Sequence, residues 1–248
     1  MDHKKIKLFC LPFAGANYYS YRELPKYAAP YLEVIPVELP GRGKRFSEPL
    51  LTDIHHMVKD IWRQLAGHIG GPYAIFGHSM GACLGYLMVK KIIKEGLPKP
   101  RHLFFSGRSG PSIRTEARDR YLLPRQEFFE LLREFAGTPP EVLADREMMS
   151  LFEPMLRADF QANDNYLYEE TEPFDIPITV MIGLNEPTPY AEALTWQKET
   201  TAPISVRQFV GGHFFIFDYL PEISKIFYQT LQPVIWAEPV QATSLSWA

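Results

Sequence analysis

The sequence predicts an α/β protein built on a mostly parallel central sheet with helices on both faces, and three observations predict it. Short apolar runs of strand character alternate with amphipathic helical patterns through most of the chain. One such run, Pro72 to Phe76, leads straight into Gly77-His78-Ser79-Met80-Gly81 and then into a helical pattern. From Ser112 to about Glu172 the alternation stops, and helical periodicity continues without a convincing strand.

The elements follow in order. Ile6 to Phe13 reads as a buried strand running into the loop Pro12-Phe13-Ala14-Gly15-Ala16, and Leu32 to Leu39 repeats the pattern before Pro40-Gly41 stops it. Ile54, Met57, Val58, Ile61, Leu65 and Ile69 recur at three- and four-residue steps, so 52–69 is an amphipathic helix with Thr52 or Asp53 as its N-cap. The helix after Ser79 runs to about Glu95, where Gly96 and Pro98 end it. Further strands are expected at His102 to Ser106, Ile178 to Ile182 and Ile204 to Val210, with helices around Ala191 to Glu199 and Glu222 to Leu231.

The helical stretch 112–172 carries two apolar sets. Phe128, Phe129, Leu132 and Phe135 form one; Met148, Leu151, Phe152, Met155, Leu156 and Phe160 form the other. An insertion over the carboxyl edge of the sheet would make a lid, with most of these side chains packing it to the body. The expected organisation is therefore one domain over 1–235 with this lid inserted, followed by a disordered tail over 236–248, which lacks periodicity.

Composition narrows the function classes. In 248 residues with 46% hydrophobic content there is ample material for a large core, and a net charge of −3 with dispersed Lys and Arg argues against a nucleic-acid partner. No apolar run approaches the ~18 residues of a membrane span, and the N-terminus lacks the apolar region of a signal peptide. A cytoplasmic protein is expected. Cys10 and Cys83 read as small buried hydrophobes. No metal or nucleotide-cofactor motif is present, so no cofactor is expected.

The pentapeptide at 77–81 carries the chemistry. By composition alone G-x-S-x-G would arise roughly 0.1 times in a chain this long, so its strand-turn-helix setting decides the matter: Ser79 is the candidate nucleophile of a nucleophile elbow. A serine hydroxyl needs a base. Of seven histidines, His3, His55, His56, His68 and His102 suit solvated or packed roles, and His78 is expected to leave the turn in another direction. His213, in Gly211-Gly212-His213-Phe214-Phe215 after the last strand, is the candidate base. The order nucleophile, acid, histidine then points to Glu186 in Gly183-Leu184-Asn185-Glu186-Pro187, with Asn185 as a neutral alternative; Asp159, Asp164 and Asp175 fall in the lid or before the strand. An oxyanion hole needs two backbone N–H donors. Met80 supplies the first, and Ala14, or alternatively Phe13, the second.

These residues, together with Leu11-Pro12-Phe13-Ala14-Gly15, Pro40-Gly41-Arg42, Ser106-Gly107-Arg108, Gly137-Thr138-Pro139 and Leu156-Arg157-Ala158-Asp159-Phe160, resemble the type II (external) thioesterases that accompany nonribosomal peptide and polyketide synthases. The resemblance covers about residues 6 to 232. It implies an α/β-hydrolase fold with a helical lid, and hydrolysis of stalled or wrong acyl groups from the phosphopantetheine arm of acyl or peptidyl carrier proteins. The chain departs from the family pattern at Glu186, where Asp is usual, and at Ala16, where a second Gly is usual. Arg42, Lys44 and Arg45 are candidates to meet the phosphate of the arm or an acidic carrier surface, with a solvated loop as the plainer reading. A general serine esterase or acyltransferase, and a carrier-binding module with vestigial activity, are the rival functions. A monomer is the expected state.

Overall fold

A computed structural model describes residues 5–28, 31–113, 119–138 and 140–236 of the chain. In chain order the strands are β1 (Ile6–Leu11), β2 (Leu32–Pro36), β3 (Tyr73–His78), β4 (Leu103–Ser106), β5 (Ile178–Gly183) and β6 (Ile204–Phe209). The α-helices are α1 (Pro25–Ala28), α2 (Ile54–Leu65), α3 (Met80–Lys94), α4 (Arg125–Phe135), α5 (Pro140–Ala144), α6 (Arg146–Asp164), α7 (Tyr190–Ala193) and α8 (Leu220–Trp236). Among the described residues the six strands make one sheet in the order β2-β1-β3-β4-β5-β6, with every neighbouring pair parallel. All residues of β3, β4 and β5 are buried. That explains why these strands read as continuous apolar runs rather than as alternation: helices cover both faces.

Successive side chains of each strand feed opposite cores. Phe9, Leu11, Ile75, Phe105, Val180 and Ile182 pack with α2, α3 and Trp196, whereas Leu8, Cys10, Ala74, Phe76, Phe104 and Met181 pack with Phe227 and Leu231 of α8. Both cysteines are buried, and burial pushes their thiols up. Asp53 caps α2 by accepting the His56 N–H at 2.9 Å, and Gly96 ends the α3 region at φ +67. No helix among the described residues is long and apolar enough to cross a membrane.

Several elements differ from expectation, among them β2, which ends at Pro36 rather than Leu39. The helix expected over 191–199 is one α-turn, α7, followed by 3-10 turns over Leu194–Glu199. The last helix begins earlier and runs through Pro233 to Trp236, beyond which the expected tail lies outside the described residues. In the lid, α6 ends at Asp164, and Met155, Leu156 and Phe160 of the expected apolar set are buried, whereas Met148 and Leu151 are 40% and 59% exposed and Met149, outside that set, is fully buried. Met149, Phe152, Leu156 and Phe160 join one apolar cluster at three- and four-residue steps, so the inward face continues through Pro154.

His102 is built into the sheet, its Nε2 2.9 Å from Thr179 Oγ1 and its ring 4.5 Å from that of Phe104. Burial pushes its pKa down to about 4, and burial also holds His78 well below its ordinary value. Both rings stay neutral when folded but protonate near 6.5 when unfolded. The stability they secure is present above that value and is lost as pH falls toward 4. The free energy of unfolding in urea is expected to drop across this window by up to ~1.4 kcal/mol per pH unit for each histidine. His102→Gln should flatten the slope by one proton; an unaltered slope would exclude His102 as a source.

Candidate active site

The five strand ends β1, β3, β4, β5 and β6 bring the chemistry to one edge. At the end of β3, Ser79 adopts φ 54, ψ −116, a left-handed backbone that a side chain occupies only under constraint. The turn is held by the Ser79 N–H, which donates to Ser106 O at 2.8 Å. It closes only because its neighbours lack side chains: a Cβ on Gly77 would stand 2.7 Å from Ala82 N, and one on Gly81 would stand 2.8 Å from Leu11 O. The strain and the two glycines raise the serine above the sheet at the N-terminus of α3, whose first amide belongs to Met80.

His213 sits in the loop after β6, with Nδ1 2.7 Å from Glu186 Oε2. The Glu186 side chain is fully buried, and its other oxygen accepts the Gly183 N–H at 2.7 Å. The longer acid is accommodated because its carboxylate folds back onto the end of its own strand. Two backbone bonds lock the acid loop to the histidine loop, Leu184 N–H to Phe209 O at 2.8 Å and Asn185 N–H to Gly211 O at 2.9 Å. With Nδ1 donating to a carboxylate, the imidazole is set in the tautomer that leaves Nε2 as acceptor.

Ser79, Met80, Ala14 and His213 line one cavity of about 220 Å³, roofed by the lid residues Phe135, Phe152 and Leu156. Beyond Ser79 and His213 its wall is mostly apolar, with Arg120, Thr138 and Asn163 as polar exceptions; Arg120 is engaged by the buried carboxylate of Asp164 at 2.5 Å. In the loop 13–16 the Gly15 N–H is taken by Asp159 Oδ2 at 2.8 Å and the Ala16 N–H by Phe13 O at 2.9 Å. The amides of Phe13, Ala14 and Met80 have no partner among the described residues. The arrangement presents a hydroxyl, an oriented imidazole and unspent N–H donors to one apolar chamber, which is the equipment of acyl transfer.

One sequence expectation is corrected. Arg42 is no docking residue: its guanidinium is 1% exposed and grips both oxygens of Asp159, at 2.6 and 2.7 Å. Arg45 is likewise committed, to Asp60 at 2.5 Å and to Glu48, whereas Lys44 is exposed, lies 3.6 Å over the Tyr18 ring and stays a candidate. Asp159 and Asp60, farther along the chain, and the neighbouring Glu48 neutralise the arginines of what reads locally as a cationic patch. His78 is buried and is not among the residues lining the chamber, yet it packs against the base candidate. Its ring centroid is 4.7 Å from that of His213, its Nδ1 is 2.9 Å from Ser106 Oγ, and Gly107 must lack a Cβ because both imidazoles crowd the place. Nothing in the pentapeptide signals this, since the neighbours come from β4 and the 211–214 loop. Asp159 was visible as an acid among apolar lid residues, yet its partners lie far up the chain.

Comparison with known proteins adds to the geometry. The model of the thioesterase domain family matches residues 6–230. The gramicidin S biosynthesis protein GrsT of Aneurinibacillus migulanus is 36% identical over 232 residues, which is 93% of this chain and 91% of that protein. Among solved structures, ClbQ from the colibactin NRPS/PKS pathway superposes with a TM-score of 0.88 at 29% identity, covering 93% of this chain and 98% of ClbQ. The type II thioesterase BorB from the borrelidin biosynthetic cluster superposes with a TM-score of 0.85 at 30% identity over 92% and 93% of the two chains.

Proposed function

Since the chain belongs to the thioesterase domain family, we propose that it is a type II editing thioesterase, a serine hydrolase that clears acyl groups from the phosphopantetheine arm of carrier proteins. The observation that carries the reading is the Glu186–His213 pair opening, together with Ser79, on an apolar chamber under a lid. The kinship with proteins of gramicidin S, colibactin and borrelidin biosynthesis supports a carrier-protein partner. In this reading the enzyme acts as a cytoplasmic monomer on a carrier domain supplied by a separate synthase.

Ser79 Oγ attacks the acyl carbon of the thioester while His213 Nε2 takes its proton, and the carboxylate of Glu186 stabilises the imidazolium. Negative charge gathers on the former carbonyl oxygen, where the Met80 and Ala14 N–H groups meet it. The C–S bond then breaks, and the pantetheine sulfur leaves with the proton held by His213; a thiol of pKa ~8.5 is a good leaving group. Water attacks the acyl-serine with His213 again as base, giving the free acid and restoring the Ser79 hydroxyl. The apolar lid residues hold the acyl chain and keep bulk water from the ester.

Intact-protein mass spectrometry of carrier domains loaded with acetyl and longer acyl groups tests this. Conversion to the free-thiol carrier, with the acid released, is expected at enzyme concentrations far below the carrier. Loaded carriers that persist while p-nitrophenyl esters are turned over would make the protein a general esterase instead. Transfer to an added alcohol in preference to water would make it an acyltransferase.

A further inference from the structure

We propose that Asp159, on lid helix α6, is a positioning residue for the oxyanion hole, so that the helix walling the acyl chamber also sets the loop that stabilises the transition state. The inference rests on the reading of Ser79 as nucleophile and of Ala14 as oxyanion donor. Asp159 is fully buried, and among the described residues its carboxylate bonds two groups: both terminal nitrogens of Arg42, at 2.6 and 2.7 Å, and the backbone N–H of Gly15, at 2.8 Å. Arg42 Nη1 in turn donates to Ala16 O at 3.3 Å. The loop is thus gripped on the N–H side of Gly15 and on the C=O side of Ala16, which leaves the preceding amide, that of Ala14, little freedom to rotate.

Sterics point the same way. Gly15 has φ +84, and a Cβ there would stand 2.7 Å from Leu156 Cδ2, one helical turn before Asp159. The helix therefore lies directly on the loop, and Leu156, Phe160 and Asn163 of the same helix wall the chamber. Preorganised donors act only when held where charge develops. A carboxylate that accepts a backbone N–H beside such a donor is a means of holding it, and it acts from the element that also contacts the acyl chain.

A purely structural ion pair predicts something else. Buried ion pairs are often replaceable by apolar side chains of similar volume without loss of stability, so activity would follow folding. Two double variants separate the cases: Arg42→Met with Asp159→Leu, and Arg42→Met with Asp159→Asn. Both remove the buried charges, but only Asn keeps an acceptor for the Gly15 N–H. With a short acyl-pantetheine thioester, the Leu variant is expected to melt near the wild-type temperature and to keep KM within threefold, while kcat falls by about 10²–10³-fold, the loss typical of one oxyanion donor. Its affinity for an alkyl boronic acid, which forms a tetrahedral adduct on serine, should fall in parallel, and its affinity for the product acid should not. The Asn variant should recover kcat to within tenfold of wild type.

Equal kcat in the two double variants would overturn the proposal. If the Leu variant does not fold, Asp159→Glu carries the test, because it keeps a charge for Arg42 while displacing the acceptor from Gly15; kcat should drop at least tenfold at constant KM, and an unchanged kcat overturns the idea. Ser79→Ala, assayed alongside, distinguishes the failures. Turnover retained by Ser79→Ala removes the nucleophile reading itself, whereas an inactive Ser79→Ala beside a fully active Leu variant removes only the role of Asp159.

Discussion

Ser79→Ala is expected to reduce acyl release from a loaded carrier by about 10⁶-fold in kcat, the scale at which loss of the nucleophile is felt in a serine hydrolase. The substitution removes the oxygen that forms the acyl-enzyme and leaves the rest of the site in place. Ser79 makes no side-chain capping bond to α3, and the hydrogen bond that holds the turn comes from its backbone N–H to Ser106 O. Stability should therefore change by no more than about 0.5 kcal/mol. The experiment is a single-turnover assay by intact-protein mass spectrometry, which reports the acyl-serine adduct in wild type and its absence in the variant. A variant that still releases acid at one per cent of the wild-type rate would remove Ser79 from the chemistry.

Glu186→Gln is expected to lower kcat by about 10⁴-fold, because a carboxamide leaves the geometry in place while presenting the wrong hydrogen-bond partner to His213. The Gln carbonyl can still accept the Gly183 N–H now held by Oε1. Its NH₂ would then face His213 Nδ1, which must accept, so that the proton moves to Nε2 and the base facing the serine is blocked. The prediction is specific: kcat collapses, KM holds, and the melting temperature stays close to wild type. Near wild-type turnover would place the acid elsewhere. Glu186→Asp is the informative companion. An aspartate one methylene shorter cannot reach His213 and Gly183 from the same backbone, so the loop must give up one of the two contacts.

The legible parts of the candidate site share one property, that each is announced by its own neighbourhood. Ser79 is flanked by glycines whose absent side chains admit the backbone of Leu11 and Ala82. His213 follows two glycines after the last strand, and Glu186 stands three residues beyond the end of β5. The fold was legible for a similar reason, since apolar runs and amphipathic periods are local records of burial on two faces of a parallel sheet. The lid periodicity was less informative. It marked Met155, Leu156 and Phe160 as inward, but missed Met149, which is fully buried, and included Leu151, which is exposed.

Charge partnership was not legible at all. Arg42 reads as one of three neighbouring cations, and only folding sets it against Asp159, 117 positions away, with both side chains buried. His78 reads as a spacer within the pentapeptide until β4 and the 211–214 loop crowd its ring against His213. The sequence by itself determined the strands, the elbow and the residue types that do chemistry, because short-range sterics and burial leave periodic marks in the chain. Tertiary structure alone decided which charges are spent, which amides stay free and which helix bonds the loop at Gly15, because those outcomes depend on distances between residues that the chain order does not encode.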